Sequence, residues 1–196
     1  MKRVPMVPTL IVLVAVAYMI HLGFWQLERL GEKEAMLARY EAAQASGDEV
    51  RWPEEPSAMQ RALYHRSQLD CRSALASTTL SGRNAKGQAG LAHVVTCIDA
   101  EGAKRQLVLG WSTDPAAPVW TGGVVTGWIA PGPRLVADPP QAGLEANAKP
   151  DPKDIPNNHL AYAVQWFLFA GVALVIYVLA LRKRLHERAP RQDGLQ

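Results

Sequence analysis

Two histidines occupy positions where an ionisable side chain is costly. His159 immediately precedes an uncharged, mostly apolar run that continues to Leu181, and His21 lies within another that ends at Glu28 and Arg29. An imidazole near the edge of a hydrocarbon layer marks a candidate functional site. Imidazole is also an axial ligand of haem iron, and a flat apolar macrocycle suits a groove between two helices. His159, Tyr162, Ala163, Trp166 and Ala170 share one helical face, which offers one ligand, two aromatics and two small residues. The plainer reading is an interfacial belt in which Tyr, Trp and His mark headgroup depth. The residues alone leave both readings open.

Other chemistry finds no footing. There is no Gly-x-Ser-x-Gly elbow and no His-Glu-x-x-His, and the glycines at 82, 87 and 90 lack the Lys-Ser/Thr that follows in a phosphate-binding loop. That stretch, from Gly82 to Gly90, has the composition of a hairpin turn. Asp99, Asp114 and Asp138 stand beside turns, where local backbone hydrogen bonds account for them. We therefore expect a protein that is not an enzyme. The two cysteines, Cys71 and Cys97, lack the Cys-x-x-Cys spacing of thiol redox or copper-delivery sites.

The elements that must position the histidines are two long spans. Residues 4–27 and 160–181 contain no Lys, Arg, Asp or Glu, and each run exceeds what a hydrocarbon core of about 30 Å requires at about 1.5 Å per residue. The formal net charge of +3 sits at the ends: Lys2 and Arg3 at the head, Arg182, Lys183, Arg184, Arg188 and Arg191 at the tail. The middle is mildly acidic, so the pattern predicts membrane topology and no nucleic-acid partner. The cluster after the second span, against Lys149 and Lys153 before it, predicts a cytoplasmic C-terminus. With two spans the N-terminus is cytoplasmic too, although Arg29, Lys33 and Arg39 compete locally with Lys2 and Arg3. The apolar run continues past Ala15-Val16-Ala17 through Phe24 and Trp25, unlike a cleaved signal peptide, and no Arg/Ser-rich presequence precedes it. A bacterial inner membrane with a periplasmic middle domain is the expected setting.

The predicted fold is a membrane α+β protein, with two transmembrane helices flanking a small extracytoplasmic β-rich domain. Its parts are a cytoplasmic head (1–3), a first span (4–27), a stalk helix (28–45), the β-rich domain (46–158), a second span (159–181) and a basic tail (182–196). The stalk continues the first span as an Ala- and Glu-rich helix with a thin stripe of Leu30, Leu37 and Tyr40. Strands are expected over 64–71, 77–82, 91–98, 106–111 and 119–129, with a break or bulge at Gly122, Gly123 and Gly127. Residues 131–156, rich in Pro, Ala, Gly and Asp, predict a mostly irregular return path. The pattern shows no heptad array. Cys71 and Cys97 both fall in strands of a domain placed in an oxidising compartment, which favours a structural disulfide over two buried free thiols or redox and metal chemistry.

Two stretches carry a family resemblance. Gly23-Phe24-Trp25-Gln26-Leu27-Glu28-Arg29-Leu30-Gly31-Glu32-Lys33 resembles the motif at the end of the first span in the Surfeit locus protein 1 family. Asn157-Asn158-His159-Leu160-Ala161-Tyr162-Ala163-Val164-Gln165-Trp166-Phe167 resembles the motif that opens that family's second span. Arg83, Gly87 and Gly90 are similar to its Arg-x-x-x-Gly-x-x-Gly stretch. Leu109-Gly110-Trp111 stands where Arg-Gly-Trp is usual, and that departure, with the cysteine pair, marks a divergent branch. The resemblance implies an assembly factor for haem-copper cytochrome c oxidase, acting when haem a is delivered to or stabilised in the catalytic subunit. It implies haem as the cofactor and His159 as its metal ligand. From the shared helix face we expect haem to be held transiently between the two spans, with Tyr162 and Trp166 against the macrocycle. His21, outside the matched motif, is the weaker candidate for a second axial ligand. The expected partners are the oxidase catalytic subunit, the haem a synthesis machinery and the lipid bilayer. The rival reading is a scaffold that holds oxidase subunits without haem, in which His159 orders the helix pair.

Overall fold

The structure, a computed structural model, describes residues 5–116 and 118–187. Lys2 and Arg3 of the basic head and Arg188, Arg191 and Asp193 of the tail lie outside them. The chain divides into two compact units, Met1–Ala35 with Pro156–Gln196, and Met36–Ile155.

The first unit is a pair of helices. Helix α1 (Met6–Ser46) runs unbroken for 41 residues, and α3 (His159–Glu187) for 29. Both are long and apolar enough to cross a membrane. Their outer faces are bare: Leu10 is 64% exposed, Val14 60%, Leu168 59% and Ile176 61%. The helices meet antiparallel, since Thr9 hydrogen-bonds Tyr177 near one end and Gln26 pairs with His159 near the other. On α1 the residues turned from solvent include Thr9, Val16, Met19, Gly23 and Gln26, and on α3 they include His159, Ala163, Trp166, Phe167, Ala170 and Tyr177. Small residues (Gly23, Ala163, Ala170) and polar pairs stand out along this seam against the otherwise evenly apolar helices, as in helix pairs that pack closely. Gly23 is required there: a Cβ would stand 2.6 Å from the Phe167 ring, which already packs edge-on against Phe24 at 5.4 Å.

The second unit is a closed barrel, β1 (Arg66–Arg83), β2 (Ala89–Asp99), β3 (Lys104–Ser112), β4 (Gly123–Ala130) and β5 (Arg134–Ala137), in the order β1-β2-β3-β5-β4. β1 serves two neighbours. Arg66 to Cys71 pair with β4 and Cys71 to Arg83 pair with β2, with register shifts after Cys71 and after Ala74 where the strand changes partner. The two strands expected over 64–71 and 77–82 are therefore one. β4 starts only at Gly123; Gly122 and Gly123 hold φ of 137° and 136°, and a side chain at Gly122 would strike the Cys71 carbonyl. β5 falls inside the stretch expected to be mostly irregular, too short to show alternation between its prolines. It pairs parallel with β3 and antiparallel with β4, which closes the barrel. Leu107, Leu109, Ile129 and Leu135 fill the interior with no exposure, each contributing roughly 1.5–3 kcal/mol. Helix α2 (Pro56–Ala62), begun by a proline whose missing N–H costs nothing at that position, adds Met59 and Ala62. The end of α1 also joins this core: Tyr40 and Ala43 are buried, and the Tyr40 ring lies 4.9 Å from that of Tyr64. Its last turns are thus core helix rather than the free stalk expected from their thin apolar stripe.

Cys71 and Cys97 form a disulfide with 5.6 Å between their Cα atoms, and both are buried. No cysteine is free among the described residues. The β2–β3 turn is held by Asp99, which accepts from the backbone N–H of Ala103 at 2.7 Å and of Glu101 at 3.1 Å, and from Arg105 Nε at 2.6 Å. Arg105 Nη2 reaches on to both Glu54 carboxylate oxygens, at 2.7 and 2.6 Å.

Two measurements check these arrangements. Burial alone would raise the Asp99 pKa, but the bonds from Arg105, Ala103 and Glu101 outweigh it and hold the carboxyl below its usual range. An unfolded Asp titrates near about 3.9, so around that pH the unfolded chain binds more protons. The network contributes fully above this value and is lost as pH falls through the lower folded pKa. Acid titration followed by near-ultraviolet dichroism should show this loss below about pH 4, and Asp99→Asn should flatten it while costing about 3–5 kcal/mol at neutral pH. An acid limb unchanged in the Asn variant would place the sensitivity in other groups. For the helix pair, a chain carrying Thr9→Cys and Tyr177→Cys should be joined by a short bis-maleimide linker. Adding Gly23→Leu should cut the yield severalfold, as overpacking by about 1–3 kcal/mol implies, with Gly23→Ala intermediate. Equal yields in all three would show that the seam does not depend on close approach at Gly23.

Candidate functional site

His159 is the first residue of α3, where the preceding Pro156-Asn157-Asn158 segment turns the chain into the helix. Its ring is half-buried at the end of the seam, and its Nδ1 lies 2.7 Å from Oε1 of Gln26 on α1. A side-chain amide oxygen only accepts, so Nδ1 is the donor of this bond. Nε2 is then the ring nitrogen left for a further partner. The rest of the seam is occupied by its own side chains, with Ala163 1% and Ala170 5% exposed and Gly23 buried beneath Phe167.

The other expected site residues are arranged unequally around this point. Trp166 lies two turns further along the seam face, half-buried, its ring edge-on to Phe169 at 6.1 Å. Tyr162 is on the flank and 51% exposed. His21 is not brought to His159. It projects from the face of α1 opposite Gly23, is exposed, and makes no hydrogen bond among the described residues. Two residues from a seam position on a helix means about 200° of rotation away from it. Gln26, which sequence reasoning passed over, completes the pair. Its signal was available: with Thr9 and His21 it is one of few polar side chains in the first apolar run, and polar groups in such runs tend to face a neighbouring helix.

Elsewhere the surface offers less specific features. A groove of about 570 Å³ is lined by Val164, Leu168, Val172 and Val175 with Gly171, on the side of α3 away from the seam. A cleft of about 480 Å³ on the barrel has Arg83, Arg134 and Lys149 around Leu80, Val108 and Val136. Lys149 Nζ stands 3.5 Å from the centre of the Trp128 ring. Burial, with Arg66 nearby, lowers the Lys149 pKa against the pull of Asp138. Asp138 is not a turn carboxylate of the expected kind, since it accepts from Arg66 at 2.9 Å and from the Trp128 indole at 3.1 Å. Asp99 and Asp114 do hold turns through backbone N–H groups. His93, fully buried, pairs through Nε2 with Ser112 at 2.9 Å. Among the described residues no three His, Cys, Asp or Glu side chains are grouped to hold a metal ion.

No curated protein matches the chain. The profile of the SURF1 family matches it over residues 13–171, a stretch that runs from within α1 through the barrel into α3 and takes in Gln26, Arg83 and His159. The two helices, the barrel and this match together place the chain in the SURF1 (Surfeit locus protein 1) family, a family of oxidase assembly factors.

Proposed function

We propose that the protein crosses a bacterial inner membrane twice, with both termini in the cytoplasm. In this reading it assists assembly of haem-copper cytochrome c oxidase by holding haem a transiently at the end of the seam between its spans. The observation that carries it is the His159 ring, half-buried at the helix junction with Nδ1 engaged by Gln26 and Nε2 without a hydrogen bond among the described residues. That is the donor chemistry an axial ligand of haem iron needs. Trp166 supplies apolar surface on the same face, and Tyr162, exposed beside it, can close over a flat ligand. Because Gly23, Ala163 and Ala170 fill the seam beyond, the ligand sits against the end of the pair rather than deep between the helices.

Topology rests on charge and length. Arg182, Lys183 and Arg184 follow the apolar part of α3, and two bare helical faces suit lipid. A delivery site with one protein ligand, and with His21 directed elsewhere, suits release: a second axial histidine would hold the cargo as a resident group. The partners in this reading are the oxidase catalytic subunit and the machinery that makes haem a, and their contact shifts the equilibrium towards transfer.

The same hydrogen bond supports a second reading, a scaffold in which His159 only ties the helices together. Haem titration of the full chain in detergent separates the two. Wild type should give a saturable shift of the Soret band, and His159→Ala should weaken binding by at least about tenfold with a changed spectrum. Identical affinity and identical spectra would remove His159 as the ligand and leave the scaffold.

A further inference from the structure

We propose that Gln26 is a positioning residue that sets the ligand character of His159. By accepting the Nδ1 hydrogen at 2.7 Å, its amide oxygen holds the ring in the tautomer whose Nε2 lone pair binds iron. The inference rests on the reading of His159 as a haem ligand. An isolated neutral imidazole places its proton on either nitrogen and turns freely about its side-chain bonds. Here one nitrogen is committed, and the ring plane is fixed by a partner on the other helix, 133 residues away in sequence. Gln26 is itself held, half-buried at a seam position between Gly23 and Leu30. Its identity also sets the strength of the bond. A carboxylate accepting the same hydrogen would push the ring towards imidazolate and tighten its grip on iron, whereas a neutral amide polarises it less. A glutamine therefore gives an oriented ligand of moderate strength, which suits cargo that must leave. Because donor and acceptor sit on different spans, separating the helices at this end removes the orientation.

The test uses the full chain in detergent with iron protoporphyrin IX as the probe, comparing wild type, Gln26→Leu, Gln26→Glu and His159→Ala. The readouts are affinity and the iron–histidine stretching frequency of the ferrous complex by resonance Raman. Gln26→Leu should weaken binding by about tenfold and lower the frequency. Gln26→Glu should raise the frequency above wild type. A Phe24→Cys/Phe167→Cys cross-link, across the ring contact nearest Gln26, reports helix pairing at this end and should be unchanged in the Gln26→Leu background. Frequencies and affinities equal to wild type in both Gln26 variants, with binding lost in His159→Ala, would overturn this inference and leave the ligand reading standing. Unchanged binding in His159→Ala would overturn both. Loss of the cross-link together with binding would make Gln26 a strut and not a positioning residue.

Discussion

Backbone polar groups must find partners, and both units answer that requirement in the limited ways available to them. Apolar surroundings offer no water to bond, and in α1 and α3, long and apolar enough to cross a membrane, the N–H and C=O groups between the end turns are satisfied within the helix. The central unit is too small to protect a broad open sheet, and a sheet with free edges would recruit other chains. It closes instead. Closure requires β1 to be 18 residues long, pairing first with β4 and then with β2, and requires β5, only four residues, to bridge β3 and β4. The register shifts after Cys71 and Ala74, and the glycines that open β4, follow from that turn of β1 from one partner to another. The disulfide lies at the same place, joining the bent strand to its second neighbour.

In helices as evenly apolar as these, a contact between two leucines marks no particular face. What can hold two such helices is close approach and polar pairing. Gly23, Ala163 and Ala170 provide the first, and Thr9 with Tyr177 and Gln26 with His159 provide the second. The candidate site is therefore part of what holds the helices together, and a change at His159 acts on helix pairing as well as on the site.

Much of this was legible in the residues and some was not, for definable reasons. The spans declared themselves by length and absence of charge, and the hairpin turns by glycine and asparagine at Gly87, Gly102 and Asn84. The unity of β1 was hidden because its middle, Arg72 to Ala76, reads as a break when only one partner is imagined. β5 was hidden because Arg134-Leu135-Val136-Ala137 between prolines carries too few residues for alternation to register. The burial of Tyr40 could not be inferred from a thin helical stripe, since it depends on Tyr64 being presented to it from another element. The match to the family's two span motifs named His159 but gave no partner for it. Gln26 was legible as a polar group in an apolar run, but its pairing with His159, and the direction of His21 away from that pair, emerge only when the helices are paired.

The two polar pairs of the helical unit lie 17 positions apart on α1, from Thr9 to Gln26, about 25 Å along the axis. The faces of an evenly apolar helix are interchangeable, so length and hydrophobicity leave its azimuth undetermined. Two bonds at separated heights remove that freedom. A slip of one residue turns every side chain by about 100° and breaks both at once, while a smooth tilt can open one and keep the other. The polar pairs thus act as angular keys, and they make rotation about the helix axis the motion this pair resists most.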